Sequence, residues 1–302
     1  MSIKIENVDI HGWEAAIRGA RNPMNSWQKS DSAFFAGINF VSDFIFRDIN
    51  GKIKDFHDWL SPGEEPSRKE FQKWVEWNKK YNQWKEAPFP KPVQCADGEL
   101  KFGDVLIGPN DYKLLMRLCK GGTEESKWRR FVNVSMDITA PLYWWKEFET
   151  YKVGTVCNSC STMHKIQAKE FTLEDFSCEH LFECDFLSKP NTDPECWIYP
   201  FTDCLDGDGT MEEYPLDILK ATIKMLNKAR DLFLETNDKK YWYQMIQLLP
   251  TSYNQRRTIG LNYEVLAKQY RERKNHKLNE WHTYCDWIKT LPYSELITLE
   301  ET

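Results

Sequence analysis

Apolar and polar positions follow recognisable periods in several separate stretches of the chain. Residues 1–25 predict a short strand followed by a helix over "HGWEAAIRGARNPM". The stretch "PNDYKLLMRLCK", residues 109–120, predicts a helix capped by Asn110 or Asp111. "RRFVNVSMDITAP" alternates as a half-buried strand does, with apolar positions at Phe131, Val132, Val134, Met136 and Ile138.

Helical periods dominate the second half of the chain. "LYWWKEFETY" predicts one helix, and "PLDILKATIKMLNKARDLFLETN" and "KKYWYQMIQLLP" predict two more. In the longest of these, the positions expected to face the core are Leu216, Ile218, Leu219, Ile223, Leu226 and Leu232. A last helix is predicted from about Leu261 to Thr290. Strands and helices in this order predict an α/β fold of the α+β kind, with a central sheet flanked by helices.

Two stretches lack this regularity, residues 26–110 and 165–215, where Pro and Gly interrupt any period. Within the first, "RKEFQKWVEWNKKYNQW" places Phe71, Trp74, Trp77 and Tyr81 at helical spacing. This pattern predicts an amphipathic helix that packs on the body of the protein.

The predicted last helix carries a cation on its apolar face. Taken as one helix, its apolar face holds Leu266, Tyr270, Trp281 and Ile288, and the polar residues Asn262, Arg273 and Lys277 fall on the same face. A buried Arg is costly unless its charge is neutralised. Arg273 therefore either extends to solvent, pairs with a structural carboxylate, or meets an anion in a pocket, for which its planar guanidinium is suited.

Composition and charge narrow the possible partners. The 302 residues carry a net charge of -6, with a pI of about 5.7, which argues against broad affinity for nucleic acid or a membrane surface. The first twenty residues lack the apolar core of a signal peptide. We therefore expect a cytoplasmic protein whose nine cysteines are thiols, ligands or catalytic groups rather than disulfides.

Cysteine and acidic clusters offer weaker alternatives. Zinc would draw on Cys157-x2-Cys160 and His164, with later donors at Cys178, His180 and Cys184, but these later donors do not form a second C-x2-C pair. We therefore assign no metal. Cys157 or Cys160 as a nucleophile with His164 as its base rests on sequence proximity alone. The turn "DCLDGDGTMEE" has Pro215 where a calcium loop needs its last Glu, which favours an ordinary Asp-Gly turn.

Four segments together resemble the flavin-dependent thymidylate synthases of the ThyX type. "LLPTSYNQRRTIGLNYEVLAKQYRERKNH" keeps the family's spacing from Pro250 to Asn262 and on to Arg273. "APLYWWKEFETYKVGTVCNSCS" is similar to its signature region, with Asn158 and Ser161 at matching positions. "GGTEESKWRRF" and "EAAIRGARNPM" resemble the turn before the strand and the early helix. The matched segments cover roughly residues 10–25, 110–165 and 240–295.

The chain also departs from the family pattern. The Arg-His-Arg core reads Thr-Tyr-Lys or Tyr-Lys-Val, and the motif's Glu and final Arg are Ser159 and Met163. An acidic residue expected before the strand is Arg129. Residues 26–105 and 165–235 would be two large insertions in a single ThyX-like domain spanning residues 1–302.

The resemblance implies a reaction and a set of site residues. Family members methylate dUMP at carbon 5, using FAD, methylenetetrahydrofolate as carbon donor and NADPH as reductant, and they form homotetramers with flavin bound between subunits. Here Arg273 would bind and polarise the pyrimidine, with further substrate contacts at Ser161, Lys152 and Glu147. FAD would be held by Asn262, Ser126, Asn158 and Thr155. The altered motif leaves open a variant reaction at carbon 5, such as hydroxymethylation, or a non-catalytic relative in which zinc or a protein partner replaces flavin.

Overall fold

The computed structural model describes residues 3–34, 93–94, 100–101, 105–181 and 215–299. The helix expected over residues 68–84, the acidic turn at 203–213 and Cys184 lie outside these ranges. Strands and helices alternate along the described chain, which confirms the mixed α/β class.

Eight strands are described. They are β1 (Lys4–His11), β2 (Ala33–Phe34), β3 (Val93–Gln94), β4 (Leu100–Lys101), β5 (Val105–Leu106), β6 (Asn133–Pro141), β7 (Val156–Ser159) and β8 (Asn254–Asn262). Four of them form a sheet in the order β1-β6-β8-β7, and β2-β5 and β3-β4 form two small pairs.

Nine α-helices are described. They are α1 (Trp13–Arg21), α2 (Pro109–Lys120), α3 (Leu142–Phe148), α4 (Thr162–Lys165), α5 (Pro215–Thr236), α6 (Lys239–Leu248), α7 (Tyr263–Arg273), α8 (Asn279–Thr290) and α9 (Glu295–Thr298). Short 3-10 helices cover Asn22–Met24, Trp27–Lys29, Ser126–Phe131 and Leu173–Asp175. Within the described residues, no helix combines the length and apolar character needed to cross a membrane.

The strand pattern of β6 agrees with the sequence at most positions. Val134, Met136 and Ile138 are buried, and β6 pairs antiparallel with β1, placing Ile138 opposite Ile5. Phe131 is different, because it ends the preceding 3-10 helix and is 50% exposed. The prediction that Phe131 belongs to the buried strand face is therefore wrong.

The chain divides into two compact units. One contains Ala140–Glu147 and Ser159–Arg256, and the other contains Ile3–Thr139, Phe148–Asn158 and Arg257–Thr302. We call them the α5 unit and the α7 unit after their central helices.

The α5 unit has its own apolar core. Helices α5 and α6 pack on each other, and the buried cluster consists of Ile166, Phe171, Phe176, Leu219, Leu226, Ala229 and Met245. Leu216 is also buried, as the helical period predicts, whereas Ile218 is 52% exposed. A 22-residue helix has room for apolar residues beyond its buried stripe, so Ile218 was wrongly placed in the core.

The α7 unit is built around aromatic side chains. Trp13 contacts Tyr263 and Tyr293 edge to face, with ring centroids 5.1 and 5.4 Å apart. Trp281 stacks on Phe148 at 6.3 Å and meets Tyr284 at 5.6 Å. Such pairs bury large areas and add a geometric preference, so they fix α7 and α8 in place.

The last predicted helix is two helices. Leu261 and Asn262 belong to β8, α7 ends at Arg273, and α8 begins at Asn279. Between the helices, the His276 N–H donates to the Arg273 carbonyl at 3.0 Å, and His276 Nδ1 accepts the Leu278 N–H at 3.2 Å. These local bonds compete with a continuous helix, so the single helix from 261 to 290 is a wrong prediction.

Helix α2 begins differently from the sequence prediction. Its N-cap is Gly108, and neither Asn110 nor Asp111 caps it. The Asp31 carboxylate accepts the N–H groups of Asn110 and Asp111 at 2.9 and 3.1 Å. A residue 79 positions earlier thus supplies the cap.

Asp111 instead anchors a buried polar network. Its side chain is fully buried and accepts hydrogen bonds from Arg21, Ser30 and Ser32, including 2.5 Å to Arg21 Nε. Burial alone would raise the pKa of Asp111, but the bonds from Ser32, Ser30 and Arg21, together with the Arg21 charge, hold that pKa below its ordinary value. The network ties α1 to α2.

We expect Asp111→Asn to lower the free energy of unfolding by about 3 kcal/mol at pH 7, since it leaves Arg21 buried without its counter-charge. The depressed pKa stabilises the fold above the unfolded-state pKa of about 3.9, and this contribution is lost as pH falls through the folded-state pKa. The difference in unfolding free energy between wild type and variant should therefore become smaller below about pH 4. Urea denaturation over a pH series measures it.

The matched control is Glu14→Gln, which removes the exposed Arg18–Glu14 pair at the other end of α1. It should change the unfolding free energy by less than about 0.5 kcal/mol. If the loss of unfolding free energy in Asp111→Asn stays constant down to pH 2, the lowered pKa of Asp111 does not stabilise the fold as argued.

Candidate functional site

Arg273 lies at the C-terminal end of α7, where it continues the buried face formed by Leu266 and Tyr270. Its guanidinium carbon is 4.8 Å from the centroid of the Trp281 ring and 5.6 Å from that of Tyr151. A cation over aromatic faces is attracted by their quadrupoles. The negative end of the helix dipole favours a cation at the same place. The structure thus explains how a cation is kept on the apolar face.

Tyr151 fixes the orientation of this guanidinium. Arg273 Nε donates to the Tyr151 oxygen at 2.9 Å, and the Tyr151 hydroxyl donates to Glu272 at 2.9 Å. Burial and the Glu272 hydrogen bond raise the pKa of Tyr151 to about 12, against the opposing effect of Arg273. The hydroxyl therefore stays protonated at neutral pH and makes both bonds at once. We call Arg273, Tyr151, Trp281 and Glu272 the arginine cluster.

The N-terminal end of α7 carries Asn262, which caps the helix. Its Oδ1 accepts the N–H groups of Glu264 and Val265, both at 3.1 Å. The cap therefore uses the acceptor half of the amide, and the Nδ2 donors are the half that a ligand would meet.

Gly154 brings the backbone close to this capping side chain. Its φ of +80° lies in the left-handed region, and a Cβ there would stand 3.1 Å from Val265 Cγ2 and 3.3 Å from Asn262 Nδ2. The next residue, Thr155, has a buried hydroxyl with no hydrogen-bond partner. A buried hydroxyl without a partner is uncommon and calls for an unseen one. Asn262, Gly154 and Thr155 form what we call the amide corner.

The arginine cluster and the amide corner lie at opposite ends of one helix. Eleven residues separate Asn262 from Arg273, which corresponds to about 16 Å along the axis. The structure thus keeps both residues on one helix, with Trp281 reaching Arg273 from a separate helix, and ligand contacts at the two ends remain a prediction.

The other residues expected in the α7 unit have varied surroundings. Ser126 is 2% exposed and donates its hydroxyl to the Gly122 carbonyl at 2.7 Å. Lys152 follows Tyr151 and is exposed, and Asn158 is exposed on β7. Of these three, Ser126 alone is built into the interior.

Two expected substrate residues belong to the α5 unit. Ser161 is the N-cap of α4, and its oxygen accepts the His164 N–H at 3.1 Å. Glu147 is half-buried on α3. Their roles as substrate contacts remain predictions.

Sequence reasoning missed three members of the arginine cluster and one of the amide corner. Tyr151, Trp281 and Glu272 were not selected as site residues, nor was Gly154. A signal existed for Tyr151, because it stands within the segment that replaces the family's Arg-His-Arg core. Trp281 gave no such signal, because its contact with Arg273 depends on the turn between α7 and α8.

The thiols give no metal centre in the described ranges. Cys157 and Cys160 are exposed, and no three His, Cys, Asp or Glu side chains of the described chain meet in a way that would hold a metal. Arg257 Nη1 lies 2.5 Å from a Glu149 oxygen and 3.8 Å from Cys157 Sγ. The zinc alternative gains no support from these residues.

Two surface cavities lie away from the expected site residues. One of about 580 Å³ runs along α5 beside Lys220, Lys224 and Lys228. Another of about 190 Å³ lies on α1 beside Arg18 and Trp27. Neither is lined by a residue of the arginine cluster or the amide corner.

We expect Gly154→Ala to destabilise the protein by at least about 2 kcal/mol, since it combines left-handed strain with crowding against Val265 and Asn262. Gly122→Ala is the matched control, because Gly122 has φ +99° but open space around its Cβ position. It should cost only about 1 kcal/mol, the backbone penalty alone. Chemical denaturation measures both, and equal losses would show that the close approach at Gly154 does not matter.

No protein-family model matches the chain, and no curated protein matches it. Solved structures of other proteins do match it. Thymidylate synthase X from Helicobacter pylori with FAD and dUMP aligns at 16% identity and a TM-score of 0.41, covering 63% of this chain and 83% of that chain. A second structure of the H. pylori enzyme with the same ligands aligns at 14% and 0.41, covering 74% and 91%.

The UMP/dUMP methylase PolB from Streptomyces cacaoi, bound with 5-Br UMP, aligns at 14% identity and a TM-score of 0.41, covering 64% of this chain and 83% of that chain. Two of these three structures are of the ThyX family that the sequence resembles. A TM-score of 0.41 does not by itself assign either fold or activity.

Proposed function

We propose that the chain is a flavin-dependent enzyme that transfers a one-carbon group to carbon 5 of a pyrimidine deoxynucleotide. The sequence resemblance supplies the ligand class. The observation that carries the proposal is the arginine cluster, in which the Arg273 guanidinium lies 4.8 Å from the centroid of the Trp281 ring and its Nε donates to Tyr151.

Arg273 has the chemistry that a pyrimidine nucleotide requires. A guanidinium offers planar, always-charged donors that match carbonyl and phosphate oxygens. When carbon 5 reacts, negative charge develops on the ring oxygens, and a cation already fixed in place stabilises that charge without reorganising. Tyr151 and Trp281 would supply this fixed orientation.

The amide corner fits the flavin side of such a site. Asn262 Nδ2 and the unpartnered Thr155 hydroxyl offer hydrogen bonds, and Gly154 allows a close backbone approach. When bound, FAD would supply hydride transfer, which no side chain can perform. Ser126 and Asn158 complete the set that we assign to the cofactor.

The remaining assignments come from the resemblance. Ser161, Lys152 and Glu147 would contact the nucleotide, with Ser161 and Lys152 at its phosphate. Methylenetetrahydrofolate would donate carbon and NADPH would reduce the flavin, and we expect a homotetramer with sites completed between subunits. Because the Arg-His-Arg core is replaced, the reaction is either methylation of dUMP or a variant such as hydroxymethylation.

The first test is an absorption spectrum of the purified protein with added FAD, recorded after desalting and again after addition of dUMP. We expect a flavin band that stays with the protein and shifts when dUMP binds. Lysozyme treated identically controls for carry-over of free FAD. A colourless protein that binds neither ligand would refute the proposal and favour a non-catalytic role.

The second test is Arg273→Met, which keeps the length and apolar stem of the side chain but removes its charge. We expect dUMP affinity to fall about 100-fold, the size of a lost charged hydrogen bond, with FAD retention unchanged. Isothermal titration of the FAD-loaded protein measures this affinity.

Arg271→Met is the matched control, because Arg271 lies on the exposed side of the same helix turn. It should bind dUMP as the wild type does. Equal losses in both variants would assign the effect to net charge, and no loss in Arg273→Met would remove Arg273 from the substrate site.

A further inference from the structure

Arg129 is a second buried arginine of the α7 unit whose charge the proposed site does not use. It lies on the 3-10 helix Ser126–Phe131, and its side chain is 6% exposed. Its Nη1 is 3.6 Å from an oxygen of Glu264, in the first turn of α7. Neither Nε nor Nη2 of Arg129, nor that Glu264 oxygen, makes a hydrogen bond.

A loose ion pair of this kind contributes little to stability. Buried charges recover their desolvation cost only when close hydrogen bonds accompany the attraction. The pair of Arg21 and Asp111 in the same unit meets this condition, with 2.5 Å between Nε and the carboxylate. The pair of Arg129 and Glu264 does not, which raises the question of what keeps two charges at this place.

Both partners are connected to residues that we assign to the cofactor. In a 3-10 helix, side chains three positions apart lie on the same side, which places Arg129 one turn from Ser126. The Glu264 N–H donates to Asn262 Oδ1 at 3.1 Å. The Tyr263 N–H donates to the Val132 carbonyl at 3.0 Å, directly after the 3-10 helix.

These bonds define a chain of contacts from Arg129 to the amide corner. The Arg129 guanidinium lies beside the Glu264 carboxylate, the Glu264 N–H donates to the Asn262 acceptor, and Asn262 Nδ2 lies close to Gly154. Any effect of Arg129 on the Asn262 amide therefore passes through Glu264, because Arg129 itself is not among the residues assigned to a ligand.

We infer that Arg129 and Glu264 are positioning residues, whose ion pair sets the orientation of Asn262 and the position of Ser126 for cofactor binding. This inference rests on the proposed function, because FAD is the ligand that reports the orientation. Arg129 replaces the acidic residue expected at this position. Its inferred role is in the affinity for FAD and not in the reaction at the pyrimidine.

The test is a double-mutant cycle on FAD affinity with Glu264→Gln, Asn262→Ala and the double variant, measured by quenching of flavin fluorescence. We expect each single variant to bind FAD about tenfold more weakly, and the double variant no more weakly than Asn262→Ala alone. The position of the bound flavin absorption band should shift in Glu264→Gln, which a loss of stability alone does not cause.

A second experiment exchanges the charges of Arg129 and Glu264. Arg129→Glu and Glu264→Arg should each weaken FAD binding, and the combined exchange should restore affinity to within about threefold of wild type. Arg21→Gln is the matched control for a buried arginine outside this chain of contacts. It should lower the melting temperature but leave the FAD dissociation constant unchanged.

The outcomes separate cleanly. Two results would overturn the inference and make the pair purely structural. One is that the losses of FAD affinity in the Glu264–Asn262 cycle are additive. The other is that FAD affinity is unchanged while the melting temperature falls, as expected for Arg21→Gln. Melting curves and far-UV circular dichroism identify any variant that fails to fold, and Glu264→Gln, which changes one atom, then decides. A wild type that binds no FAD would remove the proposed function and this inference with it.

Discussion

The buried face of α7 has a polar side chain at each end, the Asn262 amide at its start and the Arg273 cation at its finish. The surrounding structure must provide partners for both. Apolar residues between these ends pack into the unit, whereas Asn262 and Arg273 must be satisfied by other groups. The aromatic faces of Trp281 and Tyr151 accommodate the cation, and the helix's own first amides satisfy Asn262. The turn between α7 and α8, formed by the hydrogen bonds of His276, brings Trp281 over Arg273.

A helix with fixed ends also acts as a spacer. The axial distance between Asn262 and Arg273, about 16 Å, is set by hydrogen bonding within α7 and needs no further support. An extended ligand or two neighbouring ligands that contact both ends must match this distance. Binding residues placed on a rigid element lose little conformational entropy when the ligand arrives.

Local periods allowed much of the fold to be predicted, and long-range contacts account for the failures. Val134, Met136 and Ile138 are buried as their alternation predicts, and Arg273 lies on the buried face as the helical period predicts. The cap of α2 was missed because Asp31 supplies it from 79 positions away. Tyr151 stands 122 positions from Arg273, so neither period nor propensity connects them. The site residues expected from the resemblance were placed by spacing, which indicates position but not hydrogen-bond partners.

Arg21, Arg129 and Arg273, three arginines of the α7 unit, are accommodated in three different ways. Arg21 meets a fully buried carboxylate at 2.5 Å, which neutralises its charge and leaves it a structural tie. Arg129 has a carboxylate oxygen at 3.6 Å and two buried nitrogens without hydrogen-bond partners, so its charge is less closely matched than that of Arg21. The Trp281 and Tyr151 rings and the Tyr151 oxygen orient the Arg273 guanidinium, and the same Tyr151 hydroxyl donates to Glu272. In the function proposed above, this oriented cation is the group that would meet the nucleotide, because its donors are already fixed in direction before the ligand arrives.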